Sequence, residues 1–272
     1  MKIIVPMAGL GTRFQKESDQ NPEYKKPKPF ITVKNHPMIR WALASLPFLR
    51  HHTEQKQSHH TAEPKDVIFV VLKEHDDAYQ LEKNLKELYS PEVTVIVLPE
   101  PTRGAAETAY SALSYVLPDE EIVITDSDHY FDGQSLMEQI KNKKQNTAGI
   151  IPVFTARNEG IPKWSYTLVI PGTNDIEKVA EKDRELMELG AYANIGAYYF
   201  SQAKTFFDEA EEIIRTNKLT GDEGKKEFYI APMYQNLIEK GHHFEVAVIP
   251  EVWGLGTPSD LEYFLTHCNK EL

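Results

Sequence analysis

Apolar runs of strand length alternate with amphipathic stretches of helix length along the first half of the chain. The runs are rich in β-branched residues and nearly continuous in hydrophobicity, and they lie at 2–6, 66–72, 93–99 and 121–125. Such runs are typical of strands that are buried on both faces of a parallel sheet. Between them Leu, Ala and Tyr recur at helical spacing, which predicts helices at 74–89 and 104–117. The alternation predicts a doubly wound α/β structure.

The second half of the chain has strand patterns that follow one another without long helices between them. We expect strands at 147–154, 165–170, 176–181 and 192–200, and helices at 202–216, 228–240 and 258–269. Strands joined by short connections pair antiparallel, so the sheet is predicted to be mixed. We predict a single domain over 1–272, with an exposed polar connection at 50–66.

Charge and cysteine content restrict the partners and the compartment. The 272 residues include 30 Lys and Arg against 41 Asp and Glu, which gives a net charge of −11. This excess disfavours sequence-independent binding to nucleic acid or to an anionic membrane. No apolar run approaches the roughly 20 residues that span a bilayer, and we expect no signal peptide. The single cysteine, Cys268, excludes an internal disulfide. We therefore expect a cytoplasmic protein that binds polyanions only through a local group of cations.

The loop after the first predicted strand reads PMAGLGTRF. Its glycines can take positive φ and approach a ligand closely, and backbone amides in such loops form anion-binding concavities. A Walker loop needs Lys followed by Ser or Thr, and a dinucleotide loop needs a third glycine where Phe14 stands. The loop is therefore predicted to bind phosphate in a different way. Its candidate residues are Ala8, Gly9, Leu10, Gly11, Thr12 and Arg13.

GLGTRF, followed by KPKPFITVKNHPMIRWAL at 26–43, resembles the signature of the sugar-phosphate nucleotidyltransferase family, which includes glucose-1-phosphate thymidylyl- and uridylyltransferases. The resemblance implies a GT-A-like, Rossmann-like α/β fold with a mixed, mainly parallel central sheet flanked by helices. It also implies transfer of a nucleoside monophosphate from an NTP to a phosphorylated small molecule, with release of pyrophosphate. The likeness spans nearly the whole chain and is closest to short enzymes linked to capsule or surface-polysaccharide precursors.

In the family, these motifs wrap the triphosphate, and the matching residues include Arg13, Lys28 and Pro37, which opens a helix. Lys28 stands between Pro27 and Pro29, which remove backbone donors and stiffen the segment. A rigid cation stabilises the charge that shifts onto leaving pyrophosphate, because it needs little reorganisation. We therefore predict Arg13 and Lys28 as catalytic cations.

The segment PEPTRGAAETAYSAL at 99–113 resembles the family's base-binding segment. The resemblance implies nucleotide contacts at Thr102, Gly104 and Ala105, where small residues would allow a flat base to lie on backbone. Family members that read thymine or uracil often carry a Gln just before this point, but Pro99 and Glu100 stand there. The base is therefore left open among CTP, UTP and dTTP.

The predicted strand EIVIT is followed by two carboxylates, Asp126 and Asp128. At the end of a parallel strand they would lie at the ligand edge of the sheet, where Mg²⁺ bridging phosphates needs hard oxygen donors. The resemblance implies that Asp128 is the family's metal-binding Asp and a catalytic residue. The family's second metal-binding Asp is missing, because Gly254 stands in its place in VWGLGTP. Positions two apart on a regular strand share a face, so Asp126 is predicted to replace it in part, with Glu181 as the competing candidate.

Three further segments, WSYTLVI, VAEK and NIGAYYF, resemble the family's acceptor pocket. The resemblance implies that Glu181 accepts hydrogen bonds from acceptor hydroxyls and that Lys182 contacts the acceptor phosphate. The candidate acceptor-binding residues are Trp164, Tyr166, Glu181, Lys182, Asn194 and Gly196.

Two other functions remain open from the sequence. DSD at 126–128 also matches the D-x-D pattern of GT-A glycosyltransferases, although such enzymes do not need GLGTR and KPKP. A catalytically inactive nucleotide-binding homologue is the other alternative, because of Gly254. The sequence also leaves open whether copies of the chain form a homo-oligomer.

Overall fold

The computed structural model describes residues 1–49, 60–156, 160–221, 224 and 226–272. Its strands are β1 Lys2–Pro6, β2 Thr32–Val33, β3 His36–Pro37, β4 Val67–Leu72, β5 Thr94–Leu98, β6 Ile122–Thr125, β7 His129–Phe131, β8 Thr147–Phe154, β9 Ser165–Val169, β10 Ile176–Glu181, β11 Tyr192–Asn194, β12 Ala197–Phe200, β13 His243–Val248 and β14 Val252–Gly254. Its helices are α1 Thr12–Gln15, α2 Met38–Ala44, α3 Lys73–Tyr79, α4 Leu81–Leu88, α5 Ala105–Tyr110, α6 Gln134–Asn142, α7 Arg184–Glu188, α8 Ala203–Arg215, α9 Ala231–Glu239 and α10 Pro258–His267.

One large mixed sheet runs through both halves of the chain, which confirms the predicted α/β class. In the first half, β5, β4, β1 and β6 pair in this order and run parallel. In the second half, β12 pairs antiparallel with both β6 and β8, while β11 pairs antiparallel with β8 and β9. The β9–β10 hairpin extends the sheet, and β13 pairs parallel with β8. The carboxyl end of β6, the last of these parallel strands, therefore lies beside the start of β12, the first antiparallel strand.

Two hydrophobic clusters fill the opposite faces of this sheet. Alternate residues of each strand belong to different clusters: Ile4 of β1 packs towards α5, α8 and α9, whereas Val5 packs towards α2, α4 and α6. This alternation follows from the period of two along a strand. Among the described residues, none of the helices combines the length and apolar character needed to cross a membrane.

The predicted helices at 74–89 and 104–117 are wrong in extent. The first is divided at Gln80, which has a left-handed φ of +53° and separates α3 from α4. The division allows Leu81 and Leu85 of α4 to enter the core. The second helix ends at Tyr110 and is followed by a short 3₁₀ turn, after which Val116 is extended.

The predicted strand over 192–200 is also divided, because Ile195 and Gly196 separate β11 from β12. Of the predicted connection at 50–66, residues 50–59 lie outside the described part of the chain. In its remainder Ala62 is fully buried, and Pro64–Asp66 form a 3₁₀ turn before β4.

Candidate active site

The glycine loop follows β1 at the carboxyl edge of the parallel strands. The Met7 N–H still donates to the Val70 carbonyl at 2.9 Å, and the chain then leaves the sheet. Gly11 has a φ of +66° and precedes the first turn of α1, but Gly9 is not among the residues with positive φ. Only one of the two glycines therefore needs the left-handed conformation that the sequence suggested for both.

Lys28 joins the glycine loop to the carboxylates that follow β6. A Cβ atom placed on Gly11 would lie 3.6 Å from the Lys28 Cβ, so the loop and the KPKP segment are in contact. The Lys28 Nζ donates to Asp128 Oδ2 at 2.6 Å, across 100 positions of sequence. Arg13 lies at the same place, because its Nη1 is 3.9 Å from the position of a Cβ on Gly256, beside Asp128. The structure therefore brings Arg13, Lys28 and Asp128 together.

Asp126 and Asp128 are also brought together, although not for the predicted reason. Strand β6 ends at Thr125, and the chain bends at residues 127 and 128 instead of continuing as a regular strand. The expectation that strand alternation aligns the two carboxylates is therefore wrong. One carboxylate oxygen of each Asp and a ring nitrogen of His129 nevertheless lie within 4.8 Å of one another.

Two glycines provide the space that these carboxylates occupy. A Cβ placed on Gly196, whose φ is +92°, would lie 2.3 Å from Asp126 Oδ2. A Cβ placed on Gly256 would lie 2.7 Å from Asp128 Oδ2. Both distances are well below van der Waals contact, so any side chain at either position would displace a carboxylate. The Asp126 N–H also donates to the Gly196 carbonyl at 2.8 Å, which fixes the bend against β12.

The carboxyl groups of the half-buried Asp126 and the buried Asp128 differ in charge state because their neighbours differ. Burial, together with the negative charge of Asp128, raises the pKa of Asp126 to about 6. Burial alone would also raise the pKa of Asp128, but Lys28 and His129 outweigh it and hold this pKa well below its usual range. Asp128 is therefore the permanently charged member of the pair, while Asp126 changes charge near neutral pH.

His129 contacts Asp128 without a well-formed hydrogen bond. Its Nδ1 lies 3.2 Å from Asp128 Oδ1 and is buried, yet it has no hydrogen-bond partner among the described residues. At this distance the contact is an ion pair when His129 is protonated. Burial would lower the pKa of His129, but the Asp128 charge outweighs this and raises it.

The predicted base-binding segment is held by a distant part of the chain. The Phe228 N–H donates to the Arg103 carbonyl, and the Ala106 N–H donates to the Phe228 carbonyl, each at 2.9 Å. A Cβ on Gly104, whose φ is +147°, would lie 2.6 Å from the Phe228 backbone nitrogen. The Phe228 backbone therefore occupies the place where a side chain at position 104 would stand, which requires glycine there. Thr102 bonds the Gly104 carbonyl at 3.2 Å and the Thr108 hydroxyl at 2.5 Å.

The predicted acceptor residues fall on two faces of the β9–β11 region. Glu181 lies directly opposite Ser165, and Asn194 lies two residues beyond Tyr192, which is opposite Thr167. These side chains share one face, because opposite and alternate residues point the same way.

Tyr166 points to the other face, where it is buried against Leu186, Met187 and Ala193. The structure therefore does not bring the Tyr166 side chain to the face of Glu181 and Asn194, which corrects that prediction. Trp164 lies beside His129, with ring centroids 6.4 Å apart. Lys182 follows β10 with a left-handed φ of +50°, and its N–H donates to the Trp164 carbonyl at 2.9 Å.

Comparison with known proteins decides the family. The family model described as nucleotidyl transferase matches residues 24–261, which is most of the chain. The chain belongs to the nucleotidyl transferase family. A comparison with curated proteins finds no match.

Solved structures of nucleotidyl transferases share the fold over nearly the full length. The nucleoside-diphosphate-sugar pyrophosphorylase from Vibrio cholerae has a TM-score of 0.71 at 21% identity, covering 97% of this chain and 100% of that one. The inositol-1-phosphate CTP transferase from T. maritima has a TM-score of 0.66 at 16% identity, covering 99% and 98%. The UTP-bound UGPase from Acinetobacter baumannii has a TM-score of 0.68 at 15% identity, covering 98% and 92%. At these identities the likeness establishes the shared fold.

Position 254, where this nucleotidyl transferase departs from the expected motif, faces another carboxylate. A Cβ on Gly254 would lie 3.6 Å from the Asp260 Cγ. Asp260 is already engaged at the start of α10, because its Oδ2 accepts from the Thr257 hydroxyl at 2.6 Å and its N–H donates to the Thr257 hydroxyl oxygen. Among the described residues, the group with close ligand atoms around Asp128 contains Asp126 and not Glu181. This favours Asp126 as the second acidic ligand.

Four residues that lie beside the predicted site residues were not predicted from the sequence: His129, Ser165, Thr167 and Gly256. His129 could have been found from its position next to Asp128. Ser165 and Thr167 are alternate residues of β9, which pairs with the strand that carries Glu181. Once this pairing is known, both side chains are expected on the same face as Glu181. The space that Gly256 leaves for Asp128 becomes visible only in three dimensions.

Proposed function

We propose that this chain transfers a nucleoside monophosphate from CTP, UTP or dTTP to a phosphorylated small molecule and releases pyrophosphate. The acceptor is a sugar phosphate or another small phosphate ester, and the product is a cytoplasmic precursor for capsule or surface polysaccharide. Membership of the nucleotidyl transferase family supports the reaction class. The net charge of −11 supports a small-molecule substrate rather than nucleic acid.

The single observation that carries the proposal is the contact between Lys28 and Asp128 at 2.6 Å. It joins the glycine loop and the KPKP segment to the carboxylate pair after β6. Phosphoryl transfer needs positioned cations and a metal-binding carboxylate at one point, because positioning and charge neutralisation supply most of the catalysis. This junction provides both.

The donor set around Asp128 fits a hard divalent cation such as Mg²⁺. Burial and the negative charge of Asp128 together raise the Asp126 pKa, and a cation between the two carboxylates would relieve the repulsion. Carboxylate oxygens are the ligands that Mg²⁺ prefers. Asp128 and Asp126 would hold the ion, which when bound polarises and neutralises phosphate oxygens.

The side chains of the protein then have distinct roles in an in-line displacement. Arg13 and the amides of the glycine loop bind the triphosphate, and Lys28 stabilises the charge that develops on the leaving pyrophosphate. Glu181, Lys182 and Asn194 orient the acceptor. An anionic oxygen of the acceptor phosphate forms the new bond to the α-phosphorus while the bond to pyrophosphate breaks. No covalent enzyme intermediate is needed.

The decisive experiment is a matrix of four NTPs against phosphorylated acceptors, read by pyrophosphate release in the presence of Mg²⁺. The acceptors include hexose 1-phosphates, polyol phosphates and phosphorylated amino compounds. One NTP and one acceptor should give pyrophosphate and a nucleoside-diphosphate conjugate in equal amounts. Transfer of sugar from a nucleotide sugar, with no pyrophosphate from any NTP, would instead indicate a glycosyltransferase. Tight NTP binding without turnover would indicate the inactive homologue.

Arg13→Ala adds a check on the assigned phosphate site. Because Arg13 is expected to bind ground and transition states alike, its removal should raise the KM for the NTP by about 10-fold with a smaller change in kcat. An unchanged KM for the NTP would reject its place in the triphosphate site.

A further inference from the structure

Strand β9 carries two hydroxyl side chains on the face of the predicted acceptor residues. Ser165 donates to Glu181 Oε2 of the neighbouring β10. Thr167 donates to Asn194 Oδ1 of β11, on its other side, at 2.6 Å. One strand therefore supplies a hydroxyl to a candidate acceptor-binding side chain on each of its two neighbours.

The hydrogen bond from Thr167 fixes the direction in which Asn194 can donate. An amide side chain has one acceptor oxygen and two N–H donors. Thr167 is fully buried and Asn194 is 4% exposed, so water does not compete for these groups. The Asn194 oxygen is taken by Thr167, whereas Asn194 Nδ2 has no hydrogen-bond partner in the described part of the chain. A buried donor without a partner destabilises the protein unless a ligand satisfies it.

Asn194 also lies next to the catalytic centre. It is two residues before Gly196, which contacts the Asp126 carboxylate and accepts the Asp126 N–H at 2.8 Å. The Asn194 backbone pairs with Val153 of β8, within the central part of the sheet. Sheet pairing therefore fixes the backbone position of Asn194. The orientation of its side-chain amide group depends on a further contact.

We propose that Thr167 is a positioning residue that determines acceptor specificity. By donating to Asn194 Oδ1, it holds the Asn194 NH₂ group towards the acceptor. The pocket consequently selects an acceptor that presents an oxygen lone pair at this point, a hydroxyl or a phosphate oxygen, and rejects an ammonium group there. This inference rests on the proposed function, because it assumes that Asn194 faces the phosphorylated acceptor.

The test compares steady-state kinetics of the full chain with and without the Thr167 hydroxyl. Thr167→Val removes the hydroxyl and keeps the branched shape, so the KM for the acceptor should rise about 5- to 10-fold. The KM for the NTP and kcat at saturation should stay within about 2-fold. Thr167→Ser keeps the donor and should restore the acceptor KM. Asn194→Asp still accepts from Thr167 but loses both donors, so kcat/KM for the acceptor should fall about 100-fold.

Thr147→Val is the matched control. Thr147 is a buried threonine of the same sheet, and its hydroxyl donates to Glu245 at 2.7 Å, among residues not assigned to the site. Its loss should lower the thermal midpoint as Thr167→Val does, but leave the acceptor KM unchanged.

An acceptor KM unchanged in folded Thr167→Val, or raised equally in Thr167→Ser, would overturn the positioning role. The same holds if the NTP KM rises as much as the acceptor KM. If the wild-type chain turns over no acceptor with any NTP, the proposed function fails and this inference falls with it. If the wild-type chain is active but Thr167→Val has the wild-type acceptor KM, only the inference about Thr167 is wrong.

Discussion

Two groups of acidic and histidine side chains in the described part of the chain have ligand atoms close enough to hold a metal ion. One contains Asp126, Asp128 and His129 at the junction of β6 and β12. The other, which we call the remote cluster, contains Asp175, His243 and Glu245, near β8, β10 and β13. Both combine carboxylates with a histidine, but their polar atoms are partnered very differently.

The remote cluster is satisfied by its own protein neighbours. Lys144 Nζ donates to Asp175 Oδ2 at 2.7 Å, and the His243 Nε2 lies 3.0 Å from Asp175 Oδ1. The fully buried Glu245 accepts from Gln139 Nε2 at 2.5 Å and from the Thr147 hydroxyl. These bonds tie α6 to β8 and β13, so this cluster is structural.

The cluster of Asp126, Asp128 and His129 has polar atoms that its protein neighbours do not satisfy. Asp126 and Asp128 repel each other, and His129 Nδ1 has no hydrogen-bond partner among the described residues. Two glycines hold space for the carboxylates instead of filling it. The two clusters therefore have similar residue types. They differ in their unsatisfied polar atoms and in the repulsion between like charges.

The largest expected effect comes from removing the charge of Asp128. Asp128→Asn should lower kcat by at least about 1,000-fold, because Lys28 loses its partner and the predicted metal loses its main ligand. Asp175→Asn in the remote cluster should leave kcat within about 2-fold. Pyrophosphate release under saturating substrates measures both. An equal loss of kcat in the two variants would contradict the proposed difference between the clusters.

Lys28 provides the next largest contrast. Lys28→Ala should lower kcat by about 100- to 1,000-fold, because a preorganised cation is lost where charge develops. The matched control is Lys144→Ala, which removes the lysine of the remote cluster. Normal turnover by folded Lys28→Ala would reject its catalytic role.

Gly196 tests whether the space around Asp126 matters. Gly196→Ala should lower kcat/KM by about 10- to 100-fold, because the new Cβ displaces the Asp126 carboxylate. Gly241 is the control, since its φ of +91° matches the +92° of Gly196 but nothing lies within 4 Å of its Cβ position. Gly241→Ala should cost about 1 kcal/mol of stability and leave activity unchanged. Similar activity in both variants would contradict the role of this space.

Asp126 tests the source of the second metal ligand. Asp126→Asn should raise the Mg²⁺ concentration needed for half-maximal activity by about 10-fold, because one anionic ligand becomes neutral. Glu181→Gln should leave this requirement unchanged and instead raise the acceptor KM. A reversed pattern in magnesium titrations would transfer the ligand role to Glu181.

The smallest effect is expected in the pH dependence of the remote cluster. The hydrogen bond from Lys144, opposed by burial and aided by His243, lowers the pKa of Asp175. A lowered folded-state pKa stabilises the fold above the ordinary Asp pKa of about 4, and this is lost as the pH falls through the folded value. Asp175→Asn should therefore cost about 1 kcal/mol at pH 7 and progressively less in acid. Urea unfolding at pH 7 and pH 3 measures the difference, and an equal loss at both would refute it.

The sequence by itself determined the local elements of this protein. Continuous β-branched runs predicted β1, β4, β5 and β6 within a residue or two, and the strand patterns of the second half predicted β8, β9 and β10. The motifs and their resemblance to the nucleotidyltransferase signature predicted Arg13, Lys28 and Asp128 as site residues, and the fold brings these three residues together. The strand predictions are confirmed because hydrophobic periodicity is a local property of the chain.

Tertiary structure decided the features that depend on distant contacts. Gln80 divides a continuous helical pattern without glycine or proline, because core packing of α4 outweighs local propensity. The need for glycine at position 104 comes from the Phe228 backbone, which lies more than 100 positions away in sequence. The fold assembles two similar groups of acidic and histidine side chains, and the hydrogen-bond partners supplied by neighbouring segments satisfy only one of them. Hydrogen-bond satisfaction is a property of the assembled sheet, which is why no local pattern could reveal it.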